Sequence, residues 1–120
     1  MQTVLLVEDN AFNVKVVEAI LDDTGYRLLV AQNGEEALSL AYTHRPAVVL
    51  MDIQLPGMDG LTALQHLRND PHTRATKVIA VTAMAMKGDR ERLLAAGFDG
   101  YLAKPFTGED LLGAVRAALA

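Results

Sequence analysis

The sequence predicts a doubly wound α/β fold, (βα)5, built on a five-stranded parallel sheet, and three observations carry that prediction. Short apolar runs alternate along the chain with segments of helical periodicity, the pattern of repeated βαβ units. The runs are continuously apolar rather than alternating, as strands covered by helices on both faces require. Polar residues follow four of the runs directly: Glu8 and Asp9 after V-L-L-V, Asp52 after V-V-L-M, Thr82 after V-I-A-V and Lys104 after Y-L-A. In parallel strands these five side chains all emerge at the carboxyl edge of the sheet, where open α/β sheets build their sites.

The elements follow in order. Strands are expected at about residues 3 to 8, 27 to 31, 47 to 52, 77 to 82 and 100 to 103, from their apolar, β-branched content. After the candidate cap Asn10, Phe12, Val16, Val17, Ile20 and Leu21 recur at helical spacing, and Gly25 is the expected stop. Asn33 with Glu36 opens the second helix, whose buried face is Ala37, Leu38 and Ala41. Pro56, Gly57, Asp59 and Gly60 read as a turn and a helix start, and Leu61, Leu64 and Leu67 line the third helix. The fourth, about 86 to 96, sets Leu93 and Leu94 among charges and ends at Gly97, so its small apolar face predicts the weakest attachment. Thr107 and Asp110 cap the fifth, which buries Leu111, Leu112, Val115 and Leu119.

A chain of 120 residues suits one domain, here 1–120, with no room for an output domain. Apolar residues are 51% of the chain and charged residues 22%, an ordinary globular composition. The net charge of −4 gives no basic footprint for nucleic acid. Without cysteine, disulfides, thiolate nucleophiles and Cys-ligated zinc are excluded. The N-terminus lacks a signal-peptide pattern and no run reaches the ~20 residues of a membrane span, so a cytoplasmic location is expected.

The edge residues define a chemistry. Asp9 and Asp52 become neighbours if the strand order is the flavodoxin-like 2-1-3-4-5, with its switch point between the first and third strands. Two carboxylates at ~4 Å repel by roughly 4 kcal/mol at an effective dielectric near 20, and Glu8 adds to this, so the cluster calls for a cation. All-oxygen ligands favour a hard ion, and Mg²⁺ is usually held by one or two carboxylates with waters and phosphate oxygens. Three carboxylates, Mg²⁺ and Lys104 sum to zero formal charge, a site poised for an incoming phosphoryl group with Asp52 as its nucleophile. Each residue alone has an ordinary structural reading: a turn former, a strand residue, a solvated lysine. Their placement after four different strands favours a shared site.

The segments V-E-D-N at 7 to 10, M-D-I-Q-L-P-G-M-D-G at 51 to 60, V-T-A at 81 to 83 and K-P-F at 104 to 106 resemble the receiver domain of two-component response regulators over essentially the whole chain. The resemblance implies that Asp52 is phosphorylated by a histidine kinase or a histidine phosphotransfer protein. It implies Mg²⁺ bound by Asp9 and Asp52 directly, by Glu8 through water and by the Gln54 backbone carbonyl. Thr82 and Lys104 would contact the phosphoryl group, with a cis peptide after Lys104, and the small Ala83 would leave the approach open. By the same resemblance, Thr82 would move toward the phosphate on switching and Tyr101 would turn inward, remodelling a protein-binding face made by the fourth helix, fifth strand and fifth helix. Such a domain is a signalling phosphoacceptor that assists its own phosphorylation and dephosphorylation, not a conventional enzyme. The stretch A-V-T-A-M-A-M-K-G-D at 80 to 89 is especially similar to single-domain regulators of cell division. The alternative is a receiver excised from a hybrid sensor kinase.

Competing readings fit less well. An FMN carrier needs a phosphate-binding loop after the first strand, where this chain has E-D-N. A haloacid-dehalogenase-like phosphatase needs a second Asp two residues after its nucleophile, where this chain has Gln54. A receiver-like module that is never phosphorylated would be expected to have lost parts of the site. His44, His66 and His72 lack metal-ligand spacing and read as surface residues. Met84, two residues beyond Thr82, is placed either to shield an acyl phosphate or simply to pack. The charge run Lys87, Asp89, Arg90, Glu91 and Arg92 reads as a solvated helix face.

Overall fold

The computed structural model describes residues 2–83 and 87–120. Five strands and five helices alternate: β1 (Thr3–Val7), α1 (Ala11–Leu21), β2 (Arg27–Ala31), α2 (Gly34–His44), β3 (Val48–Asp52), α3 (Gly60–Asn69), β4 (Lys77–Thr82), α4 (Asp89–Ala96), β5 (Gly100–Ala103) and α5 (Gly108–Leu119). All pairings are parallel and the strand order is β2-β1-β3-β4-β5. The predicted fold class is therefore the observed one. With β1 leading outward to β2 and β3 leading the other way, the switch point falls between β1 and β3, where Val7 pairs with Met51.

Strand alternation divides the interior in two. Leu5, Val7, Val49, Met51, Val78 and Ala80 face one side and pack with Ala37 and Ala41 of α2, Ala63, Leu64 and Leu67 of α3, and Leu93 of α4. Their neighbours Val4, Leu6, Val48, Leu50, Ile79, Val81 and Leu102 face the other side and meet Val17 and Leu21 of α1 and Leu111, Val115 and Ala118 of α5. The central strands are thus covered by helices on both faces, which is why their runs are unbroken in the sequence.

Local signals start the helices where expected. Asn10, Asn33 and Asp59 accept from the backbone N–H groups of Asn13, Glu36 and Thr62, and Thr107 forms a full capping box with Asp110. Helix ends and faces differ in detail. Helix α1 stops at Leu21, before Gly25, because the Thr24 hydroxyl donates to the Leu21 carbonyl and Asp23 already takes a left-handed φ of 62°. Leu38, Leu61, Leu112 and Leu119 are half-buried flank residues rather than fully buried ones. Helix α4 begins at Asp89 instead of about 86, after Gly88 at φ 90°, which supplies no side-chain cap. Only Leu93 of α4 is fully buried, as its sparse apolar face foretells. Met84, a candidate shield for an acyl phosphate, and Met86 lie outside the described residues.

Arg68 secures the edge of the sheet opposite the polar cluster. Its guanidinium donates to the carbonyls of Arg74, Thr76 and Gly97 and to Asp99 Oδ2 at 2.8 Å, and the same Asp99 oxygen accepts from the Val78 N–H. Arg68→Ala releases the ends of α3 and α4 together. It is expected to cost about 1–2 kcal/mol, at the lower end for charged hydrogen bonds because both side chains are partly exposed. The check is a lower urea midpoint with an unchanged m-value.

Candidate functional site: an acidic cluster at the switch point

The five predicted residues meet at the carboxyl edge. Glu8 and Asp9 follow β1, Asp52 and Thr82 are the last residues of β3 and β4, and Lys104 follows β5. The Glu8 N–H donates to the Ala31 carbonyl, and the Lys104 N–H donates to the Thr82 carbonyl at 2.8 Å, so the sheet ladder itself sets where both side chains leave the backbone. Glu8, Asp52 and Thr82 are buried, whereas Asp9 is exposed at the rim.

Side-chain oxygens of Glu8, Asp9 and Asp52 lie within 4.8 Å of one another. Lys104 Nζ donates to Glu8 Oε1 at 2.7 Å and Asp52 Oδ2 at 2.9 Å. Asp52 Oδ1 accepts from the Gln54 N–H at 2.9 Å, and Glu8 Oε2 accepts from the Asn10 N–H. Both oxygens of Asp52 are thereby oriented. Burial alone would lower the Lys104 pKa, but its hydrogen bonds to Glu8 and Asp52, aided by their charges, prevail and hold it above the usual 10.5. One lysine offsets one of three carboxylates, and the remaining oxygen-only set has the composition that suits a hard divalent cation.

Gln54 is exposed on the loop after β3 and Ala83 is exposed beside Thr82. Tyr101 is half-buried on β5, beside Ala80 of β4, and packs against the core beneath α2, α3 and α4. The Lys104–Pro105 peptide is cis. His44, His66 and His72 are exposed and away from the cluster, His72 pairing with Arg45. Asp89 and Arg92 of the charge run form an exposed ion pair on α4.

Sequence periodicity misjudges Phe12 most. Phe12, grouped with the core face of α1, is 74% exposed and lines a groove of about 540 Å³ with Val16, Ala83, Lys104, Pro105 and Phe106. Its position in the first turn of α1, at the sheet edge where the cluster lies, was the available signal: apolar spacing identifies a helix face but not how far the sheet beneath it extends.

Beyond Asp52 the chain turns at Gly57, φ 74°, and Asp59 caps α3 through the Thr62 N–H at 2.8 Å. That bond holds the Asp59 carboxyl below its usual 3.8. A depressed carboxylate contributes stability above its unfolded pKa and loses it as pH falls through the lower folded value. Asp59→Ala is therefore expected to cost about 1 kcal/mol at pH 7, with the difference from wild type shrinking below pH 3.8. Urea unfolding at the two pH values is the check.

A doubly wound α/β fold with a cation-ready acidic cluster and a lysine at its switch point defines the class: a receiver of two-component signalling. The chain belongs to the response regulator receiver domain family, whose profile matches residues 4–116. It is 42% identical over 118 residues to the polar-differentiation response regulator DivK of Brucella anthropi, covering 98% of this chain and 96% of that one. Among solved structures it is similar to the receiver domain of sensor histidine kinase PA1611 from Pseudomonas aeruginosa PAO1, which carries a magnesium ion coordinated in its active site cleft. That match has 41% identity and a TM-score of 0.89 over 98% of this chain and 97% of the other. The chemotaxis response regulator CheY4 of Vibrio cholerae matches with 30% identity and a TM-score of 0.91 over 99% of both chains. No helix among the described residues is long and apolar enough to cross a membrane.

Proposed function

We propose that this receiver accepts a phosphoryl group on Asp52 from a histidine kinase or a histidine phosphotransfer protein and passes the signal on by protein contact. The observation that carries the reading is the shared grip of Lys104 on Asp52 and Glu8 within a cluster of three carboxylates. An Asp52 carboxylate oxygen attacks the phosphorus, the bond from phosphorus to the donor's imidazole nitrogen breaks, and that nitrogen keeps the electron pair. Asp9, Asp52 and the Gln54 carbonyl would hold Mg²⁺ directly, and Glu8 through water. When bound, Mg²⁺ supplies positive charge against the transferring oxygens. Lys104, already 2.9 Å from Asp52, pairs with the new anion, and exposed Ala83 leaves the approach clear. Phe12 and Phe106, flanking Lys104, offer the donor an apolar landing beside the acceptor.

Thr82 then hydrogen-bonds the phosphoryl group and Tyr101 turns inward behind it. The shift reaches the face formed by α4, β5 and α5, where α4 has the least buried anchorage. The domain works as a cytoplasmic signalling phosphoacceptor that assists its own phosphorylation and dephosphorylation, not as a turnover enzyme. The similarity to DivK, 96% of whose length is matched, favours a single-domain regulator. Near-equal identity to a sensor kinase receiver supports the second reading, a receiver belonging to a hybrid kinase.

The test is incubation with Mg²⁺ and acetyl phosphate, borohydride reduction of the acyl phosphate, and mass-spectrometric mapping of the reduced residue. Reduction at position 52 that requires Mg²⁺ is expected. Labelling elsewhere, or labelling indifferent to chelator, would refute the assignment.

A further inference from the structure

The start of α3 sits closer to the backbone of the acceptor than any side chain would permit. A β-carbon on Gly60 would lie 2.7 Å from the Asp52 carbonyl oxygen and 3.0 Å from the Ile53 Cα. Both are main-chain atoms, so no rotamer change relieves the overlap. Gly60 is not among the glycines with positive φ, so space rather than a left-handed backbone is what demands glycine here. Its N–H donates to the Ile53 carbonyl at 3.2 Å, which seats the buried first residue of α3 on the Ile53–Gln54 peptide, one residue beyond Asp52.

The same loop carries Gln54, whose N–H orients Asp52 Oδ1. On its other side the loop is backed by α2: a β-carbon on Gly34 would meet Met58 Cβ at 3.0 Å and Sδ at 3.1 Å. The segment 53–59 is thus held between the first residues of two helices, each of them glycine where the loop presses.

We propose that Gly60 is a positioning residue for the phosphoacceptor site. By letting α3 begin in contact with the Asp52 carbonyl, it sets where the Asp52 carboxylate and the Gln54 carbonyl stand relative to Glu8 and Asp9. The inference rests on the reading of Asp52 as acceptor. A methyl group at position 60 has to push the β3–α3 loop away from the helix, and the loop takes two parts of the site with it.

Gly60→Ala is expected to weaken Mg²⁺ binding by about tenfold, followed by calorimetry or by the Gln54 amide resonance, and to slow acyl phosphate formation similarly while unfolding stays cooperative. Gly113→Ala on α5, where a β-carbon meets nothing within 4 Å, should leave both quantities unchanged. A Gly60→Ala protein that is less stable but binds Mg²⁺ with wild-type affinity would show a purely structural role and overturn the proposal. Should Gly60→Ala not fold, Gly34→Ala decides, because it pushes the same loop through the more yielding Met58. A loss of about threefold in Mg²⁺ affinity supports the proposal, and wild-type affinity overturns it. A wild-type protein that takes up neither Mg²⁺ nor phosphoryl group defeats the phosphoacceptor reading and this proposal with it. Wild-type activity beside an unimpaired Gly60→Ala defeats this proposal alone.

Discussion

Asp52→Asn is expected to abolish Mg²⁺-dependent labelling by acetyl phosphate, a fall of at least roughly a hundredfold, because an amide oxygen is too weak a nucleophile to displace the phosphoryl group's leaving group. The substitution is nearly isosteric. Asparagine keeps an oxygen for the Gln54 N–H, and Glu8 still holds Lys104 at 2.7 Å, so the fold persists and the loss is chemical. Removing one charge from a cluster whose oxygens lie within 4.8 Å also relieves repulsion of roughly 3–4 kcal/mol per pair at an effective dielectric near 20. In chelator, the variant should therefore be no less stable than wild type despite losing an ion pair. Undiminished labelling would move the acceptor elsewhere; a collapsed thermal transition would show that Asp52 serves folding first.

Lys104→Ala is the second large effect. It strips the counter-ion from two buried carboxylates, and breaking such a pair from one side is costly. Lys104 keeps 18% of its side chain exposed, so the expected loss in chelator is about 2–3 kcal/mol, below the range for fully enclosed pairs. Magnesium should recover more stability in the variant than in wild type, because the acids then have no other cation to satisfy them. The pairing raises the Lys104 pKa above 10.5, so its stabilisation is fully present below that value and is lost as pH rises through the folded one. The gap between the two proteins is accordingly expected to close on the alkaline side. On the proposed reading, phosphorylation should continue in the variant but without the change proposed for the α4-β5-α5 face, to be followed by amide shifts of α4. Urea midpoints with and without Mg²⁺ test the stability claim; equal midpoints in chelator would show that Lys104 carries no such load.

Much of this was legible in the order of residues. The five strands lie within a residue of their expected bounds because two-sided burial leaves an unbroken apolar run, and the caps at Asn10, Asn33, Asp59 and Thr107 were visible because capping is local. Helix ends were less legible. Gly25 looked like the stop of α1, but the Thr24 hydroxyl and the left-handed Asp23 end it four residues earlier. Phe12 kept the right spacing and still lies in solvent, since helical period says nothing about where the sheet beneath it ends.

The amino-acid sequence by itself determined the α/β architecture, the strand count and the identity of the residues at the sheet's carboxyl edge. These follow from periodicity and from side-chain chemistry, which neighbours along the chain express. Tertiary structure alone decided that Lys104 bridges Glu8 and Asp52, that Phe12 is exposed, and that Gly60 lies against the Asp52 carbonyl. Each of those depends on a distance between segments far apart in the chain. Such distances are set only when the β1, β3 and β5 ladders and the two helix layers pack together.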